Sequence, residues 1–92
     1  SIFDERVRLI GSRMIINLKL LALYRKYLPA ETQGSACQIE IGQGSVVRHV
    51  LESYSIPVDE SSVILINGHA ATPEDILAEG DVLCAFPSMA GG

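Results

Sequence analysis

SVILINGHAATPEDILAEGDVLCAFP, residues 62–87, holds the order of elements on which the fold turns. Residues 62–66 are apolar on both faces of an extended chain, so they read as a central strand. Asn67-Gly68 follows, the strongest short hairpin signal, and His69-Ala70-Ala71 makes a stubby return strand. Thr72-Pro73-Glu74-Asp75 predicts a helix start, with Thr72 as cap, Pro73 at the first position and Asp75 three residues beyond the cap. That helix can run only to about Ala78, because Glu79-Gly80-Asp81 is a turn. Val82 to Phe86 is the last strand, stopped by Pro87, which has no N–H for a ladder.

Toward the N-terminus, Ile16, Leu18 and Leu20 alternate with Asn17 and Lys19, a period of two that predicts a strand. Leu21 to Leu28 reads as a short helix through the i,i+4 pairs Leu23–Tyr27 and Tyr24–Leu28, ended by Pro29. Residues 31–35 are a loop. Ala36 to Ile41 is a second strand with Cys37, Ile39 and Ile41 on one face, expected to pair antiparallel with the first. Gly42-Gln43-Gly44-Ser45 breaks it and offers Ser45 as a helix cap. Val46, Val47, Val50, Leu51 and Tyr54 form the apolar stripe of a helix of about three turns, with Arg48, His49, Glu52 and Ser53 opposite, ending near Ile56-Pro57. The fold class is therefore α+β: a mixed four- or five-stranded sheet with one main helix packed across one face.

The chain has 92 residues, 48% hydrophobic and 20% charged, which fits one globular domain. No apolar run approaches the ~18–20 residues of a membrane span. Residues 1–13 carry charges where a signal peptide needs an apolar core, so the expected location is cytoplasmic. Cys37 and Cys84 match neither a zinc spacing nor a redox pair and read as small buried thiols. His49 and His69 read as solvated, and Glu74-Asp75 as helix-start charge.

The net charge of −4 is segregated. Residues 1–30 hold Arg6, Arg8, Arg13, Lys19, Arg25 and Lys26 against Asp4 and Glu5, whereas residues 31–92 hold Arg48 against nine acids. An acidic C-terminal two-thirds argues against nucleic acid as partner. It fits a protein with a basic docking surface, or ordinary solvation.

The ββαββ order, Asn67-Gly68, Leu77-Ala78-Glu79-Gly80-Asp81 before the last strand, and the end Ala90-Gly91-Gly92 resemble the ubiquitin-like β-grasp sulfur carriers. That family includes the small subunit of molybdopterin synthase and the thiazole-pathway carrier of thiamine synthesis. The likeness covers residues 14–92. It divides the chain into an N-terminal extension or expression remnant (1–13), a β-grasp domain (14–87) and a flexible Gly-Gly tail (88–92). Phe86-Pro87 followed by Ser88-Met89-Ala90-Gly91-Gly92 is more similar to the molybdopterin subunit, although that subunit commonly has a second proline where this chain has Ser88.

The resemblance implies a carrier and co-substrate, not an enzyme. A ubiquitin-activating-type enzyme joins the Gly92 carboxylate to AMP, using ATP. Sulfur delivered as a persulfide, from a cysteine desulfurase or rhodanese, displaces AMP and leaves a thiocarboxylate. The acceptor is the large subunit of molybdopterin synthase or a thiazole synthase. The carrier itself binds no cofactor and no metal. Residues 89–92 span at most ~13–14 Å extended. Gly91 and Gly92 suit a tunnel that excludes side chains. The body docks through Phe86, Pro87, Met89, Ala90 and one of Leu65 or Ile64, residues that also read as core in the case of the last two.

Two other classes stay open. A ubiquitin-like modifier would join Gly92 to lysines on targets. A β-grasp regulatory module would bind partners without using the glycines. A β-grasp ferredoxin is excluded, since a [2Fe–2S] cluster needs four ligands and the chain has two cysteines.

Overall fold

The computed structural model describes residues 12–89. The elements are β1 (Arg13–Leu20), a 3-10 helix (Ala22–Tyr27), β2 (Ala36–Gly42), α1 (Val47–Ser53), β3 (Ser62–Ile66), β4 (His69–Ala70) and β5 (Val82–Pro87). They form a five-stranded sheet in the order β2-β1-β5-β3-β4. The β1–β2 hairpin is antiparallel, in the register Leu18 opposite Cys37 and Ile16 opposite Ile39. The last strand returns parallel to the first, with Leu18 opposite Leu83. A parallel pair needs a long crossover, and α1 with β3 and β4 supplies it. This is the β-grasp arrangement.

Alternation along β1 sends Met14, Ile16, Leu18 and Leu20 to one face, where they are at most 4% exposed. Leu83, Ala85 and Ile64 share that face, and Val47, Val50 and Leu51 of α1 close over it. Each buried Leu, Ile or Val contributes about 1.5–3 kcal/mol relative to an exposed one. Tyr24, Leu28, Ile56 and Leu77 seal the margins of this core.

Three elements differ from the sequence reading. The main helix is shorter than expected, and Ser45 does not cap it: Val46 takes the cap position in extended backbone, without a side-chain cap bond. The Ser45 hydroxyl instead donates to Gly42 O at 2.6 Å. The first helical N–H groups, which have no partner within a helix, find theirs in the 72–77 segment. Val47 N–H donates to Asp75 O and Arg48 N–H to Pro73 O, at 3.0 and 2.8 Å. Leu77 N–H donates in return to Ser45 O at 2.9 Å, and Val46 and Ile76 form an antiparallel bridge.

That role explains why residues 72–78 are not helical. The chain makes one turn, with Asp75 N–H to Thr72 O at 3.2 Å and Thr72 N–H to Asp75 Oδ2 at 2.9 Å. It then extends alongside the start of α1 and drives Leu77 into the core, at 3% exposure. Arg48 grips Glu74 with two hydrogen bonds of 3.0 and 3.1 Å.

Between β1 and β2 the expected short helix is a 3-10 turn, entered through Ala22 at φ +54. Tyr24 and Leu28 are buried, while Leu23 stands 74% exposed. The hairpin after β3 is as expected: Asn67 and Gly68 both have positive φ, +52 and +84, the signature of the tight turn that matches strand twist. Cys84 is buried. Cys37 is half-buried, because β2 is an edge strand.

Candidate functional site: the open sheet face and the root of the tail

Successive side chains on a strand point to opposite faces, so the register of β5 divides the last strand. Leu83 and Ala85 enter the core beneath α1. Val82, Cys84 and Phe86 therefore point to the other face. Directly opposite partners share a face, which adds Val63 across from Phe86 and Leu65 across from Cys84. Lys19 flanks Cys84 from β1, and Ala70 flanks Leu65 from β4. The result is an apolar field of Val63, Leu65, Cys84 and Phe86 with one cation at its margin.

The register places Ile64 and Leu65 on opposite faces. Ile64 is core, 7% exposed. Leu65 is half-buried and lies on the open face beside Phe86. Pro87 falls on the alternate side of β5, opposite Ser62. Cys84 is only 8% exposed even on the open face. Burial pushes its thiol up, against a smaller downward pull from Lys19.

The Ser61 carbonyl helps hold the end of β5. Ser61 O accepts Ser88 N–H at 2.8 Å and the Tyr24 hydroxyl at 3.3 Å. Tyr24 Oη also lies 2.7 Å from Ser62 Oγ. Asp59 orders the same loop by accepting Ser61 N–H at 2.9 Å and bonding the Ser61 hydroxyl. Those bonds, the hydroxyl first, hold the Asp59 carboxyl below the usual carboxylate range. Beyond Ser88, Met89 is 84% exposed. Ala90, Gly91 and Gly92 lie outside the described residues.

Val63, Val82 and Lys19 carry no sequence signal that assigns them to this face, although the period-two spacing of residues 82, 84 and 86 is visible there. With β3 and β5 apolar on both sides, only the sheet register tells which side faces the helix. Among the described residues, no group of His, Cys, Asp or Glu is placed to hold a metal ion. No helix among them is long and apolar enough to cross a membrane.

Solved structures share this fold. The solution structure of the HVO 2177 protein of Haloferax volcanii superposes with a TM-score of 0.71 at 20% identity, covering 88% of this chain and 89% of that one. The crystal structure of SAMP1 from the same organism gives 0.65 at 20% identity, over 85% and 99%. A putative molybdopterin converting factor subunit 1 from Pyrococcus furiosus gives 0.64 at 22% identity, over 83% and 99%. No curated protein matches the chain. The family model described as Mut7-C ubiquitin matches residues 13–91, and the chain belongs to that family of ubiquitin-like β-grasp domains.

Proposed function

We propose that the chain is a sulfur carrier whose terminal Gly92 carboxylate is activated and converted to a thiocarboxylate. The observation that carries the reading is the apolar field of β3 and β5, which runs into a strand end pinned at Ser88. A partner seated on Leu65 and Phe86 is within reach of everything that follows Ser88. Residues 89–92 extend at most ~13–14 Å, enough to carry a carboxylate from a docked body into a neighbouring active site.

The chemistry belongs to the partners. An adenylating enzyme of the ubiquitin-activating type joins the carboxylate to AMP and releases pyrophosphate. The terminal sulfur of a persulfide displaces AMP and gives an acyl disulfide. A thiol on the donor then releases the thiocarboxylate, the sulfur nucleophile for the next enzyme. Molybdopterin formation is the first destination, supported by the likeness to the Pyrococcus furiosus protein and by Phe86-Pro87 before the tail. A thiazole synthase is the alternative acceptor.

A second reading has its own support. One similar structure is the small archaeal modifier protein 1 of Haloferax volcanii, and an adenylated Gly92 could equally be passed to a lysine. One experiment separates these readings. Intact mass is measured before and after incubation with ATP, an activating enzyme from the same source and a sulfur donor, with Gly92→Ala and no-ATP controls. The first spectrum establishes that Gly92 carries the free carboxylate. Replacement of one oxygen by sulfur, lost in both controls, supports the carrier. Adducts on lysines without that replacement support the modifier, and no change with an active enzyme sinks the carrier.

A further inference from the structure

The 3-10 helix between β1 and β2 is not used by the field of β3 and β5, yet it sits at the root of the tail. Tyr24 from this helix and Ser88 from the tail share the Ser61 carbonyl. Leu21 N–H, just before the helix, donates to Ala85 O of β5 at 3.1 Å. The helix is therefore tied to the strand end from which the tail departs.

Its outward side is unlike the rest of the body. Leu23 is 74% exposed, carried on a turn that Ala22 enters at φ +54, a backbone region disfavoured for any residue with a Cβ. Arg25 and Lys26 follow. A hollow of about 450 Å³ is lined by Ala22, Leu23, Arg25 and Lys26. Arg25 is anchored, with Nε donating to Gly34 O at 2.9 Å, and Lys26 Nζ stands 5.3 Å from the Tyr27 ring centroid. Neither cation pairs with a carboxylate among the described residues, whereas Arg48 is engaged by Glu74 and Glu52. From residue 31 onward the chain is acidic.

We propose that this 3-10 helix is a second docking element, which seats Leu23 in an apolar socket of the activating enzyme and Arg25 and Lys26 against carboxylates beside that socket. Two adjacent cations without carboxylate partners among the described residues, on a body that is acidic from residue 31 onward, favour one orientation against an acidic surface, and charge complementarity of this kind sets register and encounter rate. The two cations thus turn the body so that the tail enters the nucleotide site. The inference rests on the carrier reading above and names an additional contact for the same partner.

The test is carrier-dependent ATP–pyrophosphate exchange with an activating enzyme from the same source, comparing wild type with Leu23→Ser and Lys26→Glu. Both side chains are exposed, so circular dichroism and thermal midpoints are expected to match wild type. Each variant raises the apparent KM for the carrier about tenfold, the size of one interface anchor, and leaves kcat unchanged. The Lys26→Glu effect shrinks in high salt, and the Leu23→Ser effect does not. Unchanged KM in both variants, with the wild type active, overturns the proposal, as does a fall in kcat at constant KM. No exchange by the wild type, with an enzyme that adenylates another carrier, defeats the carrier reading and this proposal with it.

Discussion

Asn67 joins the β3–β4 turn to the start of the last strand, and its replacement has separable consequences. The residue holds φ +52. Its Oδ1 accepts Val82 N–H at 2.9 Å, and its Nδ2 donates to Asp81 Oδ1 at 3.0 Å. Asp81 in turn accepts Ala78 N–H through Oδ2 at 2.8 Å, and its backbone carbonyl accepts Asn17 N–H of β1, also at 2.8 Å. Asn67→Gly keeps the left-handed backbone accessible and removes both side-chain bonds. At ~0.5–1.5 kcal/mol for each exposed bond, plus ~0.5 kcal/mol for the more flexible unfolded chain, the loss is about 2 kcal/mol. For a domain of this size that lowers the thermal midpoint by about 8–16 °C. Asn67→Val loses the same bonds and adds the penalty of a β-branched residue at positive φ, so it is the worse of the two. Thermal and urea unfolding followed by circular dichroism measure both, with an unchanged urea m value confirming an effect on the folded state. A double-mutant cycle with Asp81→Ala should return a coupling of about 0.5–1.5 kcal/mol. Equal midpoints for Asn67→Gly and Asn67→Val would refute the left-handed turn, and strict additivity with Asp81→Ala would refute the network.

Tyr24→Phe removes the hydroxyl that ties the 3-10 helix to Ser61 and Ser62; about 1 kcal/mol of stability is lost, and Ser88 N–H exchanges faster with deuterium. A stable variant with unaltered exchange would sever the link between that helix and the tail root. Arg48 holds the Glu74 carboxyl below the usual carboxylate range, first by hydrogen bonding and then by charge. The pair's contribution is therefore complete above the ordinary carboxylate range and is lost as pH falls below that range, through the depressed folded-state pKa. Thermal midpoints of wild type and Glu74→Gln accordingly differ slightly near neutral pH and converge in acid, below the ordinary carboxylate range; a constant gap would contradict the assignment. In the folded protein a water-soluble thiol reagent modifies half-buried Cys37 before buried Cys84, and both react together after unfolding. Prior reaction at Cys84 would place it outside the apolar field.

Period-two alternation in β1, the Asn67-Gly68 turn and the apolar helix stripe of Val47, Val50 and Leu51 are local patterns. They are legible in the sequence because side-chain direction follows from backbone repeat alone. The run from Phe86 to Met89 is equally local and directs attention to the end of the last strand. Tertiary structure alone decided what capped α1: the sequence offers Ser45, but the carbonyls of Pro73 and Asp75 reach the helix start first. It also decided the state of residues 72–78, which have the composition of a helix start but make one turn and then extend where Ile76 bridges to Val46. Whether Ile64 or Leu65 faces outward could not be read from a strand that is apolar on both sides. The answer depends on which face α1 covers, a pairing between residues distant in sequence. The place of the 3-10 helix beside the tail is of the same kind, since it exists only where Tyr24 and Ser88, 64 positions apart in the chain, meet on one carbonyl.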